Sequence, residues 1–104
     1  MTKTVTVLGQ DLTLATITIG TLEQIDLAGK RGRTFNIALV AGSILASGDT
    51  THGTEEWVKS LPAFVADGEE PPFQKLLEAA NAVNGFEAPK PAAGESEPAA
   101  PAQG

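Results

Sequence analysis

The sequence predicts an α+β, mainly α fold: an N-terminal β-hairpin packed on a small bundle of about four helices, followed by a disordered C-terminal tail. Three observations carry this. Residues 4–15 alternate apolar and polar side chains around a central Gly9-Gln10. From Thr21 onward, apolar residues recur at helical spacing between capping residues. The last 18 residues contain six alanines and four prolines but no Val, Ile, Leu, Met, Phe or Trp. The foldable length is therefore residues 1–86, one small globular domain. Residues 87–104 are a Pro/Ala/Glu-rich tail that buries too little surface to offset its ordering entropy.

The hairpin spans residues 4–15. Gly9-Gln10 as a two-residue type II′ turn sets Val7 opposite Leu12 and Val5 opposite Leu14. That register collects Val5, Val7, Leu12 and Leu14 on one face. A lone hairpin is marginal in water, so this face must rest on the helices. Thr21-Leu22-Glu23-Gln24 matches a capping box and opens a first helix over about 22–28, with Leu22 and Ile25 on one side. Gly29 and Gly32 bracket a turn carrying Lys30, Arg31 and Arg33. The segment 34–46 is apolar on nearly all faces and reads as a buried central helix. Gly42 inside it suits a close crossing, and Gly48 ends it. Thr54 caps a third helix over 55–65, with Glu55 and Glu56 favourable against its dipole. Pro71 and Pro72 open a fourth helix over 72–84, with Phe73, Leu76, Leu77, Ala80 and Val83 at helical spacing. Gly85 in a left-handed conformation stops it, and Phe86 folds back on its last turn.

Composition excludes several classes of function. The chain has no cysteine, so no disulfide framework, thiol nucleophile or Cys-based zinc site exists. Its formal charge of −6 argues against non-specific binding to nucleic acid or an anionic membrane. No stretch approaches the roughly 18 apolar residues of a membrane span, and residues 2–7 alternate rather than forming a signal-peptide core. A soluble, intracellular protein is expected.

Candidate chemistry is sparse. His52, the one histidine, lies in a polar loop without a second His or Cys and reads as solvent-exposed. Ser43 or Ser47 with His52 and Asp49 spells a triad, but such trios occur widely, and Ser43 falls on the buried helix. Glu55-Glu56 and Glu69-Glu70 are accounted for by helix dipoles and solubility. The loop from Asp49 to Glu55 lacks the acids a calcium loop needs at its third and fifth places. Gly29-Lys30 fails a phosphate loop twice, with Gln24 in place of the first Gly and Arg31 in place of Ser or Thr. Lys30, Arg31 and Arg33 read as a solvated turn or a protein contact. Trp57 and the four phenylalanines default to core, with one or two left open as an exposed docking patch. No enzyme, no cofactor and no metal are expected.

The order of elements resembles the small tail assembly chaperones of long-tailed (siphovirus-like) bacteriophages. The resemblance rests on the hairpin, on the run from Ile17 to Ile25 containing Thr21-Leu22-Glu23-Gln24, and on Thr54-Glu55-Glu56 before Trp57-Val58, and it covers residues 4–86. It implies an assembly factor of the host bacterial cytoplasm that is absent from the finished virion. Its partners would be the tape measure protein, which it keeps soluble, and the major tail tube protein, which it helps recruit. Self-association stays open, and no nucleic acid or membrane is implied. Apart from the resemblance, the amphipathic last helix suggests that the helical faces around residues 55–84 contribute to partner contact, with the individual contact residues left open. In many such phages a ribosomal frameshift extends a minority of chains, and the tail is where an extension would begin. The rival classes are a small virion protein of the tail or head–tail connector, and a small regulatory binding protein using Lys30, Arg31 and Arg33.

Overall fold

Alternating Thr and Val at the start of the chain build an extended strand in the computed structural model, which describes residues 1–66 and 68–86. The tail read over 87–104 lies outside the described residues. Strand β1 (Thr2–Val7) pairs antiparallel with β2 (Gln10–Ala15), forming a two-stranded sheet. Val5 lies opposite Leu12, Thr4 opposite Thr13, and Val7 opposite Gln10. The turn is thus Leu8-Gly9, not Gly9-Gln10, and each β1 residue pairs two positions earlier along β2 than the pattern suggested. A shift of two preserves the side of the sheet on which each residue stands. Val7, Leu12 and Leu14 are accordingly buried, as the alternation requires.

Both turn residues have positive φ, 51° for Leu8 and 79° for Gly9, as a type I′ turn demands. Leu8 holds this conformation against its own steric preference. Its side chain is 59% exposed and contributes little burial. Leu8→Asn is expected to raise stability by about 1 kcal/mol, because Asn tolerates the left-handed region. A urea midpoint unchanged or lowered by this substitution would contradict the turn geometry.

The first helix differs most from expectation. Helix α1 (Ile19–Leu22) is a single turn capped by Thr18, not a longer helix capped by Thr21 over 22–28. The Thr18 hydroxyl accepts from the Thr21 amide at 3.2 Å, and the Thr21 hydroxyl accepts from the Thr18 amide at 3.4 Å. Thr18, three residues before the expected cap, takes that role, and Thr21 is buried. Further along, the Asp26 carboxylate accepts from the Ala28 amide at 2.9 Å, a local turn that competes with helix. Ile25 is buried as expected, whereas Leu22 is on the exposed side.

Helix α2 (Gly32–Ala46) begins two residues earlier than read, and Ala38–Ile44 are buried without interruption. It touches α1, β2, α3 and α4, which makes it the centre of the fold. A side chain at Gly42 would stand 3.0 Å from Ile17 Cδ1, so this glycine admits the segment leading into α1. Helix α3 (Glu55–Lys59) is capped by Thr54, whose hydroxyl accepts from the Trp57 amide at 3.0 Å. It stops well short of residue 65. The Ser60 hydroxyl takes the Trp57 carbonyl at 2.6 Å, and Pro62 disfavours helix at Leu61. Helix α4 (Pro72–Asn84) matches its expected span. Gly85 has φ 78°, and the Phe86 amide returns to the Asn81 carbonyl at 2.8 Å. The apolar hairpin face rests on α2 and α4, completing one core cluster from Val7 to Val83.

Candidate functional site

A concavity lies where the start of α2, the end of α3 and the start of α4 converge. Its volume is about 470 Å³. Ile37 from α2, Val58 from α3 and Phe73 from α4 supply its apolar lining, and all three also belong to or pack against the core. The loop after α3 contributes Leu61, Pro62 and Phe64. Phe64 is 88% exposed, the most exposed of the large apolar side chains described. The prolines at 62 and 71 restrict the backbone on either side of this loop. Arg33 and Lys59 also line the groove, and among the described residues neither makes an ion pair. The second aromatic with a large exposed surface, Phe86, leans on Phe35 with ring centroids 6.5 Å apart. Of the four phenylalanines, Phe35 and Phe73 thus pack on the core, while Phe64 and Phe86 do not.

The loop between α2 and α3 is more ordered than a polar surface loop. The Asp49 carboxylate accepts from the amides of Thr51 and His52, both at 3.0 Å, and pairs with His52 Nδ1 at 2.8 Å. The His52 ring stands edge-on to Trp57 with centroids 4.9 Å apart. Its side chain is 22% exposed, so His52 is half-buried and not a free loop residue. Burial raises the Asp49 carboxyl, but the hydrogen bonds and charge of His52 and the Thr51 amide together bring it below the usual carboxylate range. Neither serine of the notional triad joins this pair. Ser43 donates to the Leu39 carbonyl and Ser47, the C-cap of the same helix, to the Ile44 carbonyl, both bonds local to α2.

The remaining candidates disperse. Glu55 and Glu56 occupy the first turn of α3, as their dipole role requires. Glu69 and Glu70 precede α4 and lie outside its helical span. The Glu70 carboxyl is raised, chiefly by a hydrogen bond with the Glu78 carboxyl and then by burial and the charge of that neighbour. Lys30 reaches back to the Asp26 carbonyl at 2.5 Å, while Arg33 lines the groove. Among the described residues no group of three or more His, Cys, Asp or Glu could hold a metal ion. Among them, too, no helix is long and apolar enough to cross a membrane.

A polar junction escaped the sequence reading. Asn84, at the end of α4, accepts from the Ile17 amide at 2.8 Å. Its amide nitrogen donates to Ser43 Oγ and to the Ala80 carbonyl, both at 2.8 Å. Beside it, Thr16 donates to the Val83 carbonyl at 2.7 Å. The available signal was a polar side chain four residues after Ala80, next to Val83 on an otherwise apolar stripe. The junction is structural: it ties the hairpin exit to α2 and α4 on the far side of α4 from its groove end. Comparison of the chain with protein-family models, with curated proteins and with solved structures returns no significant match.

Proposed function

We propose that this chain is a tail assembly chaperone of a long-tailed bacteriophage, acting in the host bacterial cytoplasm. It binds the tape measure protein, keeps it soluble and helps recruit major tail tube subunits around it. It performs no catalysis and carries no cofactor. The observation that supports this reading is the apolar groove built by α2, α3, α4 and the loop after α3, with Phe64 exposed beside it. Most of its lining lies in the 55–84 region expected to contribute to partner contact, with Arg33 and Ile37 joining from α2. A groove of this kind suits an amphipathic segment of a long helical partner.

Co-expression with the tape measure gene of the same genome tests the proposal. The tape measure protein is expected in the soluble fraction when this chain is present and in the pellet when it is not. Equal solubility in both cases would remove the reading. Mass spectrometry of purified particles separates the virion-protein alternative, since a chaperone is missing from particles and a structural part is present in many copies.

A further inference from the structure

The groove's charge runs against that of the molecule. The chain carries a formal −6, yet among the described residues the charged side chains lining the groove are Arg33 and Lys59, both basic. Lys59 stands in the last turn of α3, where a helix dipole accommodates a cation. Arg33 does not share that explanation. It occupies the first turn of α2, the positive end of the dipole, and is exposed. Its position serves neither helix stability nor an internal ion pair among the described residues. Beside these cations, Val58, Leu61 and Phe73 form an apolar lining, and Phe64 is an exposed aromatic.

We infer that the groove takes a partner-protein segment whose large apolar side chains are flanked by carboxylates. The inference rests on the partner-binding reading above and assigns that partner its chemistry. Apolar contact supplies the affinity, while Arg33 and Lys59 select for acidic flanks. The chain's own residues 87–104 are acidic but have no large apolar side chain to fill the groove. Nucleic acid fits poorly, because two cations on a molecule of net −6 cannot track a phosphate backbone.

The test uses the full chain, labelled for NMR, and two amphipathic peptides with the same Leu and Phe positions. One carries Glu at the flanking positions and the other Lys. The Glu peptide is expected to shift the amide resonances of Val58, Phe64 and Phe73 and to bind roughly tenfold tighter at low salt. The preference should shrink as salt rises. The double variant R33E/K59E should reverse the order of the two peptides. Its melting temperature should change little, since both side chains are exposed and an acid gained at the start of α2 offsets the cation lost at the end of α3. Equal affinities, a preference for the Lys peptide, no shift with either, or a preference that survives R33E/K59E would overturn the inference. So would tighter binding of single-stranded oligothymidylate than of the Glu peptide, or a shift of the same resonances with protein concentration alone, which would mark a second copy in the groove. The two readings fail separately. Tape measure solubility independent of this chain removes the assembly role, and the peptide ordering decides the chemistry of the groove.

Discussion

Gly53→Ala is expected to cost about 3 kcal/mol or more of folding stability, read as a lowered urea midpoint. The reason is steric and local. A Cβ at this position would lie 2.6 Å from the backbone nitrogen and Cα of Leu45 and 2.6 Å from the Asp49 carbonyl oxygen. Those are backbone atoms of α2 and of the loop leaving it, so no side-chain rotation relieves the overlap. The loop is pressed there by its own hydrogen bonds. Asp49 gathers the Thr51 and His52 amides, and the Gly53 amide returns to the Asp49 carbonyl at 3.1 Å. To admit a methyl group, the end of α2 must separate from the start of α3, which disturbs the seating of Trp57 and Val58. Gly20→Ala is the matched control. Its nearest atom would be 3.7 Å away, its φ is not positive, and it lies in α1. That substitution should be neutral or stabilising by up to about 1 kcal/mol. If Gly53→Ala behaves like Gly20→Ala, the close approach of loop and helix is wrong.

The groove should respond as well. Val58 and Leu61 line it, and α3 is held against α2 through the loop that Gly53 permits. A Gly53→Ala protein that still folds is therefore a probe of whether groove geometry depends on the α2–α3 junction, independent of any change to the groove's own side chains.

What the sequence disclosed about this fold follows the reach of each interaction. Thr54, Gly48 and Gly85 act within one or two turns, so the cap of α3 and the ends of α2 and α4 were legible. The hairpin's buried face was legible too, because period-two alternation survives any even shift of register. The register itself was not. It depends on Leu8 accepting a left-handed backbone, which its residue type disfavours and only the seating of the sheet on α2 and α4 imposes. The first helix was misplaced as well, since Thr18, three residues before the expected cap, takes that role. The groove was legible only as a region. Its lining comes from three helices and a loop separated by up to 41 positions, from Arg33 to Gln74, and the exposure of Phe64 depends on α3 ending early at Lys59.

Removing the Asn84 side chain is the second large expected effect. Asn84→Ala should cost about 2–4 kcal/mol, because it deletes three hydrogen bonds and leaves the Ile17 amide without its partner. The bonds join segments 67 and 41 positions apart in the chain. Their loss loosens the closure of the hairpin exit onto both long helices. Ser43 and Asn84 share one of the three bonds, so a double-mutant cycle with Ser43→Ala should return a coupling of roughly 0.5–1.5 kcal/mol. Asn84→Asp gives an independent reading of the geometry. Its carboxyl can keep the Ile17 amide, but when ionised it confronts the Ala80 carbonyl at the negative end of α4. That neighbourhood raises the carboxyl's folded-state pKa above the unfolded value. Stability of this variant is then fully present below the unfolded pKa and is lost as pH rises through the folded one. The Asn84→Asp protein should therefore gain on Asn84→Ala as pH is lowered through the carboxylate range. A constant difference between the two across that range, or an Asn84→Ala cost below about 1 kcal/mol, would show that this side chain does not bridge the three elements.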